Sequence, residues 1–322
     1  MKDKDINTFE TVIGQAAAKK KASFFLEGHK ATGVMPHLMW IAGKGQGKTT
    51  LAREVAKKMM ASLDSDRSGK PKKYYEVNCS TIKNVKQLVN QILLPKREEE
   101  YTILFDEASE FPRDVTMALL TILNPNKDNR TSFSYDEYTL DFDFSRQSFM
   151  FATTEAQQVF HALMDRTERI DLADYSYSQL AKILALHCEG KSFADGVLEE
   201  MATVVRGNAR GAAKMAQNVG IFLASKKKNT FTKKHWEEFK AALTIMPMGL
   251  NEIEIQILRH LTEKKDCSLT FLAAKTGLSK SCVQKDFEMY LQKMSLMEIT
   301  TAGRGITALG QETLAKAEKL II

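Results

Sequence analysis

The sequence predicts an α/β fold: a parallel-sheet core built around a phosphate-binding loop, then a helical lid, then a C-terminal winged helix. Three observations predict it. A glycine-rich loop at 42–49 lies between an apolar run and a helical segment. A second apolar run ends in Asp106-Glu107. Near the C-terminus two helical segments meet at a glycine turn and lead into a Gly-Arg-Gly tip.

The first element is Leu38-Met39-Trp40-Ile41, a buried strand. Ala42-Gly43-Lys44-Gly45-Gln46-Gly47-Lys48-Thr49 follows it directly, and Thr50-Leu51-Ala52-Arg53-Glu54-Val55-Ala56 then reads as a helix. A strand, a glycine-rich turn ending in Gly-Lys-Thr and a helix make a nucleotide phosphate-binding loop. Gly43, Gly45 and Gly47 let backbone N–H groups and the positive helix N-terminus approach phosphate oxygens. Lys48 is placed to reach the β- and γ-phosphates, and the Thr49 hydroxyl to ligate Mg²⁺.

The run Tyr101-Thr102-Ile103-Leu104-Phe105 reads as a short parallel strand buried on both faces. Asp106 falls at its C-terminal end, where open α/β sheets place their ligands. There Asp106 is expected to hold the metal and Glu107 to polarise the attacking water. The plain alternative is a surface acidic pair closing a strand. A further strand at 149–154 ends in Thr153-Thr154 at the same edge, and either threonine suits the task of orienting that water. Arg166 ends the next short helix. Arg210 sits where another helix begins, a place where a cation gains nothing from the helix dipole unless a phosphate is near.

Between Thr131 and Arg146 the alternation Phe133, Tyr135, Tyr138, Leu140, Phe142, Phe144 predicts a β-hairpin with an acidic tip at Asp136-Glu137. Its inward half is expected to be sheet core. From 175 to 245 the pattern is helical, with amphipathic runs Leu180, Ile183, Leu184 and Leu198, Met201, Val204, Val205. Lys226-Lys227-Lys228 and Lys233-Lys234 mark a basic, solvated connection. Pro247-Met248-Gly249 breaks the chain. The segment 268–278 then reads as a helix ending in a glycine turn, and 279–290 as a second helix with Val283, Phe287, Tyr290 and Leu291 on one face. That is a helix-turn-helix. Gly303 and Gly305 are expected to turn the wing tip, and Arg304 to project towards a phosphate backbone. From Gly249 onward ten basic side chains oppose nine acidic ones. Nucleic-acid contact must therefore come from a local face carrying Lys280, Lys285 and Arg304.

The 322 residues carry a net charge of +6, which permits DNA binding without demanding it. No apolar run approaches the roughly 20 residues of a membrane span. The start, Met1-Lys2-Asp3-Lys4-Asp5, has no apolar segment behind it, so no secretion signal is expected. The four cysteines are scattered singly, which argues against a zinc site and fits a reducing, cytoplasmic compartment. Residues 64–73 read as an exposed loop.

Together these residues resemble an AAA+ ATPase, in particular the RuvB family of bacterial Holliday-junction branch-migration motors, from about Phe9 to Leu309. The resemblance makes 9–15 the segment that packs against adenine, through Val12 and Ile13, and counts Thr50 with the nucleotide loop. It makes Asp106-Glu107 the Walker B pair, Thr154 sensor 1, Arg166 the arginine finger acting on a neighbouring subunit, and Arg210 sensor 2. It implies ATP and Mg²⁺ as ligands, branched or duplex DNA as substrate in recombination and repair, and a homo-oligomeric ring, a hexamer. It also implies a RuvA-like adaptor at the 131–146 hairpin and no membrane. The domains follow as an ATPase core at 1–173, a lid at 174–246 and a winged helix at 247–322. Departures are Lys44 and Gln46 in the loop, Glu155 where the family has arginine, Met164 before Asp165, and the acidic hairpin tip. Two other functions remain compatible with the residues: a clamp or helicase loader, and an ATP-dependent scaffold on DNA.

Overall fold

The computed structural model describes residues 9, 11–61 and 69–321. Half of the expected 64–73 loop, residues 64–68, lies outside them, as do the outer ends of the core and winged-helix spans. Of its described part, Gly69 to Pro71 is exposed. Lys72 is buried, and Lys73 already begins a strand, so the loop ends earlier than the polar composition suggests.

The first unit, which ends at Gln179 and also takes in Asn208–Arg210, holds the sheet. Helix α1 (Ala16–Thr32) precedes β1 (Leu38–Ile41), and α2 (Lys48–Ala56) follows the glycine loop. Then come β2 (Lys73–Asn78), the short α3 (Val85–Gln87), β3 (Tyr101–Asp106), α4 (Arg113–Ile122), the hairpin β4 (Arg130–Tyr135) and β5 (Tyr138–Asp143), β6 (Gln147–Thr153), α5 (His161–Met164) and β7 (Glu168–Asp171). The five-stranded sheet has the order β2-β3-β6-β1-β7 and all its pairs are parallel. Successive side chains of a strand face opposite ways, and two cores result. Met39, Ile103, Phe105, Phe149 and Phe151 pack on one side. Leu38, Trp40, Leu104, Met150 and Ala152 pack on the other with α1 and α2. Burial on both faces is why β3 and β6 read as nearly unbroken apolar runs.

The hairpin forms as expected, slightly shorter than 131–146, with Asp136 at φ 55° in its two-residue turn. Leu140, Phe142 and Phe144 are core. The other face is polar: Ser132 Oγ bonds Asp141, and the Ser134 and Thr139 hydroxyls meet across the strands.

The second unit comprises Leu180–Gly207 and Gly211–Ile322, so that the lid and the winged helix pack as one body. Its lid helices are α6 (Tyr177–His187, from Leu180 on), α7 (Val197–Val204), α8 (Ala209–Ser225, from Gly211 on) and α9 (Lys233–Ala242). Val197 replaces the expected Leu198 in the α7 core, because the helix presents 197, 201 and 202 inward. A parallel pair, β8 (Ser192–Phe193) and β9 (Thr230–Phe231), interrupts the helices. At two residues per strand it has no readable period.

The winged helix runs through α10 (Glu252–Glu263), α11 (Leu269–Thr276), α12 (Lys280–Cys282), α13 (Met289–Lys293), the wing β10 (Met297–Ile299) and β11 (Arg304–Ile306), and α14 (Ala308–Ile321). Asn251 and Glu254 close a capping box at the start of α10. Ser268 caps α11, and Gly277 (φ 69°) ends it. The expected second helix of the pair is widened to a π-turn at 283–288 between α12 and α13. Gly303 (φ 148°) is required at the wing, since a Cβ there would lie 2.6 Å from the Asp266 carbonyl. Gly305 lies inside β11 and is not part of the tip. Among the described residues, no helix is long and apolar enough to cross a membrane.

Candidate functional site

The parallel registers bring four strand ends to one edge. Asn78 aligns with Asp106, Asp106 with Ala152, and Ile41 with Thr153. The loop 42–47 leaves β1 at that edge. Gly45 (φ 76°) and Gly47 (φ 91°) occupy the left-handed region, where other residues are strained. Their surroundings are also closed: a Cβ on Gly45 would stand 2.1 Å from Asn208 Oδ1, and one on Gly47 would stand 3.0 Å from Tyr175 Oη. Gly43 has ordinary room for a Cβ.

Lys48 begins α2 and is buried, with its ammonium donating to the Ala42 and Gly43 carbonyls at 2.8 and 3.1 Å. Burial lowers its pKa. Asp106 opposes that pull, Arg210 adds to it, and Glu107 opposes it. The Thr49 hydroxyl donates to Asp106 Oδ2 at 3.0 Å, so the two expected metal-binding oxygens already meet. This hydroxyl–carboxylate pair beside a helix N-terminus is the hard-oxygen set that Mg²⁺ takes. Thr50 is exposed in the first turn of α2.

Glu107 is exposed and left-handed (φ 61°), with its backbone N–H on Asp106 Oδ1 at 3.0 Å. Its carboxylate accepts a hydrogen bond from Asn78 Nδ2 at 3.2 Å. Asn78 was not singled out from sequence, because only the β2–β3 register brings it to Glu107. A hydrogen bond of about 1 kcal/mol sets a roughly five-fold population bias. Asn78→Ala is therefore expected to change DNA-free ATP hydrolysis by about that factor, upward if the bond withholds Glu107, as measured by phosphate release.

Thr153 is fully buried, its hydroxyl bonded to Ser109 and to the Glu155 N–H. Thr154 stands exposed one residue beyond, available to a ligand at the edge. Arg166 lies just past α5, half-buried, with Nη1 on the Ala162 carbonyl at 3.0 Å. Arg210 is the second residue of α8, and its backbone N–H faces the Gly45 carbonyl at 3.4 Å. Val12 is buried and its carbonyl accepts Lys19 Nζ, while Ile13 is half-buried. The Gln15 side chain bonds both the N–H and the carbonyl of Ala173, at 2.9 and 2.8 Å.

In the winged helix, Lys280 and Lys285 are exposed. Arg304 is not, which corrects the expectation that it projects outward. Its guanidinium makes a two-point ion pair with Glu288, whose side chain is 1% exposed; Nε meets Oε1 and Nη2 lies 3.1 Å from Oε2. A carboxylate buried under the wing recruits the nearest cation. A wing's Gly-Arg-Gly looks alike whether the arginine turns in or out.

Comparison with known proteins matches residues 38–175 to the ATPase family associated with various cellular activities (AAA), and residues 247–315 to the RuvB C-terminal winged helix domain. The chain thus carries an AAA domain and a RuvB-type winged helix domain. The RuvB subunit of the Holliday junction branch migration complex from Campylobacter fetus is 24% identical over 92% of this chain and 84% of its own length. That of Sulfurimonas denitrificans is 25% identical over 92% and 86%. In fold, this chain superposes on the Thermotoga maritima RuvB Holliday junction branch migration motor with a TM-score of 0.73, at 21% identity, covering 94% of this chain and 95% of that one. A variant of the same Thermotoga protein superposes with a TM-score of 0.75.

Proposed function

We propose that this RuvB-like ATPase is an ATP-driven ring motor, a hexamer in the cytoplasm, that moves branch points in DNA during recombination and repair. The observation that carries the reading is one chain holding both the Thr49–Asp106–Glu107 cluster at a phosphate loop and a RuvB-type winged helix. Mg²⁺ supplies charge neutralisation at the phosphates when bound. Thr49 and Asp106 hold it, Lys48 and the loop N–H groups orient the triphosphate, and Val12 and Ile13 back the base. Glu107 takes the proton of the attacking water, with Thr154 positioning that water. Arg166 completes a neighbour's site, and Arg210 couples the lid to turnover. A partner at the hairpin meets a hydroxyl-rich face and an acidic tip, which suits an adaptor with a polar, basic surface.

The test is ATP-driven disruption of a labelled mobile four-way junction on a native gel, with Lys48→Ala as control and a forked linear duplex for comparison. Conversion by the wild type alone supports the motor. Hydrolysis without conversion, with or without a supplied adaptor, favours a loader. For the DNA face, Lys280→Glu with Lys285→Glu is expected to weaken duplex binding and to flatten the plot of log affinity against log salt. Each lost phosphate contact removes about 0.9 from that slope, so the pair removes about 1.8. A titration at four salt concentrations checks this.

A further inference from the structure

Arg206 follows α7 in a left-handed conformation (φ 59°), and its side chain turns onto the winged helix. Nη1 and Nη2 donate to Glu254 Oε2 and Oε1 at 2.8 and 2.7 Å. Glu254 is fully buried, and the same carboxylate accepts the Asn251 N–H at 2.9 Å as part of the α10 capping box. The guanidinium also stacks 3.7 Å from the Tyr290 ring centroid. The Tyr290 hydroxyl in turn donates to the Met248 carbonyl at 2.6 Å. The backbones leave no slack here, since a Cβ on Gly249 would lie 2.2 Å from the Val204 carbonyl oxygen. One guanidinium thus fastens the end of α7 to the start of α10 and to α13. The geometry needs arginine, because a lysine offers neither the two-point fork nor the stacking plane.

Only Gly207 (φ 69°) separates Arg206 from Asn208, the first residue of the stretch Asn208–Arg210 that belongs to the first unit. Asn208 is packed on Gly45 of the phosphate loop, and the Arg210 N–H faces the Gly45 carbonyl. The residue that grips the winged helix and the stretch that packs on the phosphate loop are therefore joined through a single residue.

We propose that Arg206 is the positioning residue that passes displacement of the 208–210 stretch to the DNA-contacting winged helix, by locking lid and winged helix into one lever. The inference rests on the reading of the protein as a DNA motor. An apolar contact would hold the two parts together equally well. The fork onto the buried Glu254 carboxylate admits a single register, so motion at one end is not absorbed at the other.

The test uses the full chain with three single variants: Arg206→Lys, Glu254→Gln and Tyr290→Phe. DNA-free ATP hydrolysis, junction-DNA affinity and junctions disrupted per ATP are measured at a temperature where near-ultraviolet circular dichroism matches the wild type. DNA-free hydrolysis and affinity are expected to stay close to wild type. Junctions disrupted per ATP are expected to fall about ten-fold in Arg206→Lys and Glu254→Gln, within the roughly 5–150-fold range of coupling between sites, and less in Tyr290→Phe. An unchanged yield per ATP in the folded variants overturns the proposal. So does a parallel loss of DNA affinity, which makes Arg206 a support of the DNA face alone. If the two charge variants do not fold, Tyr290→Phe decides by the same criterion. Absence of junction disruption in the wild type removes the motor reading itself, and is seen before any substitution is made.

Discussion

Glu107→Gln is expected to lower ATP turnover by about 10²–10⁴-fold, the usual contribution of a positioned general base, while nucleotide affinity stays near that of the wild type. The side chain is exposed at the sheet edge, where it accepts a hydrogen bond from Asn78, so an amide of equal size fits without disturbing the core. The phosphate-loop contacts made by Lys48 and by the Gly45–Asn208 packing are untouched. Lys48→Ala has the opposite signature, since it removes the cation buried in the loop and weakens binding first. Phosphate release measured beside a fluorescent-nucleotide titration separates the two. Unchanged turnover in Glu107→Gln removes the hydrolytic role of Glu107 and leaves a scaffold that binds ATP.

The second large effect lies in the winged helix. Arg304→Ala strands the buried Glu288 carboxylate without its two-point partner, a loss of about 3–5 kcal/mol. Chemical denaturation of the full chain should show the second unit unfolding earlier. Replacing both partners with apolar residues, Arg304→Met with Glu288→Leu, should recover most of that loss, because two desolvated charges give way to packing. The salt slope of DNA binding should not change in the double variant. If Arg304 contacted phosphate, the slope would fall by about 0.9. The pair of measurements therefore tests the inward orientation directly.

The features that sequence reveals here are those set by local chemistry. The phosphate loop is legible because a strand, its glycines and a Gly-Lys-Thr are contiguous. The strands β3 and β6 are legible because burial on both faces leaves only apolar residues. The hairpin is legible because one face is core and the other is not. What sequence conceals depends on register or on side-chain direction. Asn78 ends an edge strand of mixed polarity, and only its alignment with Asp106 gives it a neighbour in Glu107. Arg206 and Glu254 are far apart in the chain, as are Arg304 and Glu288 on a shorter scale. Nothing in their local sequence distinguishes a buried partner from solvent. Thr153 closes β6 with its hydroxyl bonded to Ser109, whereas Thr154 lies exposed one residue beyond, and only the position of the strand end decides which hydroxyl is left to a ligand.

The strand order has a consequence for how the molecule is made. β1 carries the phosphate loop, yet its partners in the sheet are β6 and β7, both encoded far downstream. Parallel pairing across such separations waits on long loop closure and is slow. During synthesis the loop leaves the ribosome early, in a strand with nothing to pair against. Meanwhile β2 and β3 can join each other, and the hairpin can close on its own turn. The nucleotide pocket is thus among the first parts translated and the last assembled. A chain released before Gln147 contains every nucleotide-loop and Walker B residue and still has no strand to pair with β1.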